Sequence, residues 1–355
     1  MKRLFAALRP VLLPLGLILA VAALLLAMDP AKDTSKVTRI PRVALMQHAS
    51  QGALDDGVTG VLLGLEKRGF VAGKTMQLQK FNAQGELATA NDIARRVTDG
   101  SFDLVITVST ASLQAVANVN RQHRVPHVFG IVAKSSVAGV GVSATDPMDH
   151  PPYMSGADSF LPVDKPIGMA LRMYPGLHKL GLVWHSAEAN SEAYTKAARE
   201  VCSKLGIELL EATVDSPSGV GEAAASLASR GAEAFMVTGD VMVLVSVDSV
   251  IKAGLQAGIP TFTLSPGNVR KGGLFDLGAD FMTVGMETGD LAADVLGGRN
   301  LKDVPVTNRV PERFNLNLVA LAKFPKWRLP PGVADEAQVL IDASGERNDK
   351  ATRGH

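Results

Sequence analysis

Apolar strands and amphipathic helices alternate along most of this 355-residue chain, in two successive series, and that rhythm restricts it to an α/β fold with parallel sheets. The first series predicts strands at 43–48, 76–81, 104–108 and 126–130. Helices are predicted between them, at 54–68 and 88–97 and from 110 onward. Between 131 and 154 the pattern gives way to loop chemistry, with Ser135, Ser136, Gly139, Gly141, Pro147, Pro151 and Pro152. A second series follows, with helices at 165–173, 191–205, 221–229 and 243–257 and strands at 179–184, 208–213, 234–238 and 260–264. The expected architecture is therefore two doubly wound α/β lobes, each able to present its strand ends to the other.

Beyond the second series, a helix is predicted at 282–296, stopped by Gly297 and Gly298, then an extended stretch at 310–318 and a last helix at 334–341. The expected division is an anchor or signal segment with its tether at 1–35, a first lobe from 36–160 plus about 279–300, and a second lobe at 161–278. A crossover segment at 301–343 would pack on the lobes, and a charged tail at 344–355 is expected to be disordered.

The amino terminus has its own logic. Lys2, Arg3 and Arg9 precede an uncharged run, rich in Leu, Val and Ala, at 10–28. As a helix that run would rise about 28 Å, close to the hydrocarbon thickness of a bilayer. It is longer than a secretory h-region and ends without a small-x-small cleavage signal, so an uncleaved signal anchor is expected, with a cleaved signal peptide as the alternative. The basic tip would stay in the cytoplasm, and the rest would be periplasmic or extracytoplasmic.

Lys plus Arg number 36 against 35 for Asp plus Glu, a net charge of +1 that gives no case for nucleic acid. A single cysteine, Cys202, forms no internal disulfide and falls near an apolar helical stripe, and no Cys/His spacing suits a metal. Neither a phosphate-binding Gly-Lys-Ser/Thr loop nor a nucleophile elbow is present. Gly57, Gly60 and Gly64 lie inside a helix rather than in a strand-to-helix turn, so close helix packing accounts for them better than a dinucleotide.

The candidate site lies where strands end. The buried strand 104–108 runs into Ser109, Thr110 and Ser112 at a helix start, a place to hold a small polar or anionic group. His48 and His185 each follow the first strand of a series. Trp184 ends a strand and offers a flat wall, with Glu188, Asn190 and Ser191 at the next helix start. Asp240 and Ser265 end later strands of the second series, where Asp240 either meets a ligand or only caps a helix. Asp280 is a hinge or cleft candidate and Lys134 a candidate contact for an anion. No catalytic residue, metal ligand or cofactor is assigned.

The runs 64–74, 82–90 and 93–96, then 175–183, 188–191, 257–262, 271–273 and 317–320, are collinear with those of a known family. Over about 43–342 the chain resembles the tryptophan/tyrosine-type substrate-binding proteins of ABC transporters. The resemblance implies a periplasmic-binding-protein fold of type I-like form, two lobes joined by hinge segments and closing on a small-molecule ligand for delivery to an ABC permease. A ligand sensor that signals through a partner protein is the alternative. It also implies that Ser109 and Thr110 form one wall, Glu188, Asn190 and Ser191 another, and Asp240 and Ser265 the floor. Where the family has Thr-Asp-Pro this chain has Ala133-Lys134-Ser135, and Ser265 stands in place of an acid, which implies an anionic or uncharged ligand.

Overall fold

A computed structural model describes residues 39–348. The expected membrane segment at 10–28 lies outside the described residues, as does 349–355 of the tail. No helix among the described residues is long and apolar enough to cross a membrane.

The first sheet holds strands β1 (Arg42–Gln47), β2 (Gln77–Asn82), β3 (Leu104–Val108), β4 (His127–Val132) and β5 (Met154–Asp158) in the order 2-1-3-4-5, all parallel. β11 (Thr307–Asn308) adds a short parallel edge beside β5. The connecting helices are α1 (Gly52–Lys67), α2 (Leu87–Val97) and α3 (Thr110–His123). β3 and β4 are buried along their whole length, as parallel strands covered on both faces must be.

The second sheet repeats the plan with β6 (Lys179–Trp184), β7 (Glu208–Thr213), β8 (Ala234–Val237), β9 (Thr261–Thr263) and β10 (Phe275–Ala279). Its order, 7-6-8-9-10, is the same winding as the first. Around it stand α4 (Asp164–Met173), α5 (Ala189–Leu205), α6 (Val220–Ser229), α7 (Val241–Val245) and α8 (Val247–Ala257). The single helix expected at 243–257 is thus two, broken at Ser246. α9 (Phe281–Leu296) carries the chain back to the first lobe, where its Val284, Ala292 and Ala293 join the core of β1, β3 and α1.

β12 (Glu312–Asn317) then runs antiparallel to β10, and the short α10 (Leu318–Leu321) follows it. The last helix expected at 334–341 is not formed. A 3-10 turn at Val333–Glu336 leads into β13 (Val339–Asp342), which pairs parallel with β12. Disorder expected from 344 is corrected in part, because β14 (Gly345–Asn348) pairs antiparallel with β13. Arg270 clamps β14 through both Glu346 oxygens, with Nε and Nη2 at 2.9 and 2.8 Å.

Three connections link the lobes, at 158–164, 279–281 and 308–312. The Asn308 amide ties the first to the third, Oδ1 accepting from Phe160 N at 2.9 Å and Nδ2 donating to Phe160 O at 3.1 Å. The Asp280 N–H donates to Pro311 O at 2.6 Å, joining the second to the third. Hydrogen bonds thus tie the three connections to one another.

The glycines set inside α1 serve close helix packing. A Cβ on Gly60 would stand 2.2 Å from Met282 O and one on Gly64 2.3 Å from Met286 O, both on α9, while one on Gly57 would stand 1.8 Å from Ile131 Cδ1 of β4.

Candidate functional site

In a 2-1-3-4-5 sheet the crevice for a ligand lies beyond the carboxyl ends of the strands, where the winding reverses between the first and third strands. Both sheets direct that edge at one cleft. From the first lobe it is lined by Gln51, Ala53 and Leu54 at the start of α1, Ser109 and Thr110 after β3, Ile131 and Ala133 at the end of β4, and Ser159 after β5. Asn190, Tyr194, Gly239, Val241, Leu244 and Ser265 line it from the second lobe, and Phe281 from the connection into α9. The free space is about 40 Å³, room for a few waters at most. Val241 packs into the first-lobe core with Leu54, Val58 and Ile131, so the lobes are drawn together.

Two lining residues carry backbone strain. Ser109 has φ 107° and ψ 157°, a region that glycine alone occupies freely. Its hydroxyl accepts the Ser112 N–H at 3.2 Å and caps α3. Ile131 has φ 56°, an outlier for a β-branched residue, at a break in the register between β4 and β5. Such a bulge re-aims a side chain, and here it sends Ile131 against Gly57 and into the cleft.

Of the residues singled out by sequence, Ser109, Thr110, Asn190 and Ser265 meet at the cleft. The others do not line it. Asp240 is fully buried and accepts from His185 N at 2.6 Å, Ser191 Oγ at 2.5 Å and Val243 N at 2.9 Å, so it caps α7 and occupies Ser191 as well. Glu188 accepts from Val241 N at 3.0 Å and Met242 N at 3.1 Å. Burial pushes both carboxyls up, and for Glu188 the nearby Asp240 adds to it. Trp184 is packed in the second-lobe core with the Arg199 guanidinium 5.4 Å from its ring centre. His48 is buried beside the turn at Gly85, whose N–H donates to its carbonyl at 2.8 Å, and burial lowers its imidazole pKa.

Glu188 still shapes the cleft through Asn190. The Asn190 Nδ2 donates to Glu188 Oε2 at 3.1 Å and to Gly239 O at 2.9 Å. Both amide hydrogens are thereby used, which leaves Oδ1 as the side chain's free acceptor. Sequence reasoning missed Gln51, Tyr194 and Phe281. Tyr194 sits in the second turn of α5, stacked on Phe160 at 4.4 Å, and its hydroxyl accepts the Leu161 N–H at 3.3 Å. Lys134 lies instead on a separate polar pocket of about 300 Å³ with Ser135, Asp158 and Asn308.

Among the described residues no group of His, Cys, Asp and Glu could hold a metal ion. The cleft can surround a small molecule with neutral hydrogen-bonding groups and an apolar wall. It offers no nucleophile paired with a base.

The sequence profile of the family described as ABC transporter substrate binding protein matches residues 42–325. A relative from Clostridioides difficile named tyrosine-binding protein is 28% identical over 275 residues, which are 78% of this chain and 77% of that protein. A crystal structure of a conserved domain protein from Vibrio cholerae superposes with a TM-score of 0.80 at 25% identity, covering 85% of this chain and all of that one. An ABC domain from Streptococcus pneumonia, in complex with L-Trp, gives a TM-score of 0.79 at 19% identity over 85% of this chain and 100% of that one, a likeness of fold.

Proposed function

The chain belongs to the ABC transporter substrate-binding protein family, a family of solute-binding proteins and not enzymes, and from that premise we propose that it captures a small solute between its lobes and delivers it to an ABC permease. The observation that carries this reading is the convergence of both sheets' carboxyl edges on one cleft. Ser109 and Thr110 come from one side, Asn190 and Ser265 from the other, and strained backbone sits at Ser109 and Ile131. A free space of about 40 Å³ is too small for an amino acid, so a ligand enters only when the lobes open. Closure then buries it, and the bonded hinge segments carry the motion.

Delivery needs export and nearness to a membrane. The uncharged run at 10–28 behind Lys2, Arg3 and Arg9 supports an uncleaved anchor, with the binding unit periplasmic or extracytoplasmic. That the relative from Clostridioides difficile is named for tyrosine supports a ligand with an apolar body. Leu54, Ile131, Val241, Leu244 and Phe281 would face such a body.

The test is small-angle scattering and thermal melting of the full chain in mild detergent, against a panel of amino acids, carboxylic acids, sugars and nucleosides. One chemical class is expected to raise the melting temperature by several degrees, and transport in membranes carrying the cognate permease should depend on it. A panel with no stabilising solute would remove this reading.

A further inference from the structure

Resting on the solute-capture reading, we propose that the ligand is an apolar carboxylic acid without an amino group, its carboxylate at the start of α3 and its body against Leu54, Val241 and Phe281. The cleft is built entirely of uncharged residues: no Asp, Glu, Lys, Arg or His lines it among the described residues. An ammonium group closed into it would find no counter-charge, and a buried unpaired cation is strongly disfavoured.

The carboxylates nearest the second-lobe wall are already committed. Asp240 serves His185, Ser191 and Val243. Glu188 serves Val241, Met242 and Asn190. Neither can turn to the cleft without releasing the loops that form its wall.

The opposite charge is accommodated. α3 is a full helix with no acidic residue in its first turn, and its cap is the neutral Ser109. Ser109 Oγ takes the Ser112 N–H, and Ser109 O takes the Leu113 N–H. The first two N–H groups of the helix, at Thr110 and Ala111, remain for a ligand. α1 and α9 also begin at the cleft, but Asp55 lies in the first turn of α1 and Asp280 caps α9.

A second feature, on the facing wall of the cleft, points independently to a ligand that accepts hydrogen bonds. Ser265 is 2% exposed and lines the cleft at the end of β9. Its backbone is engaged with Thr263 and Asn268, while its hydroxyl bonds to no described residue. A hydroxyl can donate to a carboxylate oxygen of the ligand, but it does not offset the burial of a cation.

The test uses the full chain in mild detergent and isothermal titration with matched probes: 3-phenylpropionate, L-phenylalanine and 3-phenylpropionamide, then 4-methylpentanoate and L-leucine. In at least one series the acid is expected to bind tenfold or more tightly than its amino acid, and 3-phenylpropionate more tightly than its amide. Ser265→Asp restores a carboxylate to the cleft and is expected to shift the preference at least tenfold toward the amino acid. The wild-type comparison stands even should that variant misfold. Equal or tighter binding of the amino acids overturns the assignment and leaves solute capture intact, as does binding of a sugar or nucleoside alone. No binding by any solute overturns both.

Discussion

Gly60 and Gly285 meet backbone to backbone, such that a Cβ on Gly60 would stand 3.0 Å from Gly285 Cα and 2.2 Å from Met282 O. The first turns of both helices reach the cleft, through Leu54 and Phe281, so this contact sets part of the cleft wall. Gly60→Ala must push α1 and α9 apart, and overpacking of that kind costs about 1–3 kcal/mol. Gly168 in α4 is the control, since a Cβ there has nothing within 4 Å. Gly168→Ala is expected to stabilise by up to about 1 kcal/mol through helix propensity. Urea denaturation of both variants is the measurement, and equal effects of the two would refute the close packing.

Ser109 combines a useful hydroxyl with an unfavourable backbone. Ser109→Gly removes the strain, on the order of 1–3 kcal/mol, and gives up only a few tenths of a kcal/mol of capping. A net gain in stability is expected, with weaker ligand binding. Ser109→Ala keeps the strained backbone and loses the cap, so it should destabilise by about 1 kcal/mol. Finding alanine more stable than glycine at this position would contradict the strained geometry.

The winding of both lobes was legible because buried parallel strands such as 104–108 have no polar break, and Ser109 and Thr110 were legible as the residues that end one. Asp240 and Glu188 were not, since an acid between a strand and a helix looks the same in sequence whether it meets a ligand or caps backbone. Trp184 is the last residue of a strand buried from Leu180 onward, so its ring packs in the core. Tyr194 and Phe281 lie on elements that only the fold brings together. β10 hid behind Asp276 and Gly278, residue types that strands disfavour. β13 hid behind Ala334, Glu336 and Ala337, which favour helix, because its strand character comes from pairing with β12.

Asp240 and Ser265 should now behave in opposite ways. Asp240→Ala leaves three donors without their acceptor in a buried site, and hydrogen bonds to a charged group are worth about 1.5–3 kcal/mol each. A loss of at least about 3 kcal/mol is expected, read by denaturant midpoint. Ser265→Ala removes a hydroxyl that bonds to no described residue and should stay within about 0.5 kcal/mol of the parent, while altering ligand affinity. A large stability loss at Ser265, or none at Asp240, would reverse these assignments.

Asp276 gives the second lobe a defined response to pH. It is fully buried beneath the Ser265 turn and accepts from Thr263 Oγ1 at 2.8 Å, Gly267 N at 2.8 Å and Val269 N at 3.0 Å. Burial outweighs these bonds and pushes its carboxyl up to about 6. A carboxyl raised on folding holds its proton more tightly in the native state than in the unfolded one, where its pKa is about 3.9. Its contribution to stability is therefore full below about pH 4 and is lost as pH rises through about 6, by on the order of 3 kcal/mol. Asp276→Asn cannot ionise and lacks this loss. His127, buried with its pKa lowered to about 3, opposes the trend in both proteins alike. The measurement is the difference in unfolding free energy between parent and Asp276→Asn from pH 4 to pH 7.5. The variant should gain on the parent steadily as pH rises, and a difference independent of pH would show that Asp276 is ionised throughout.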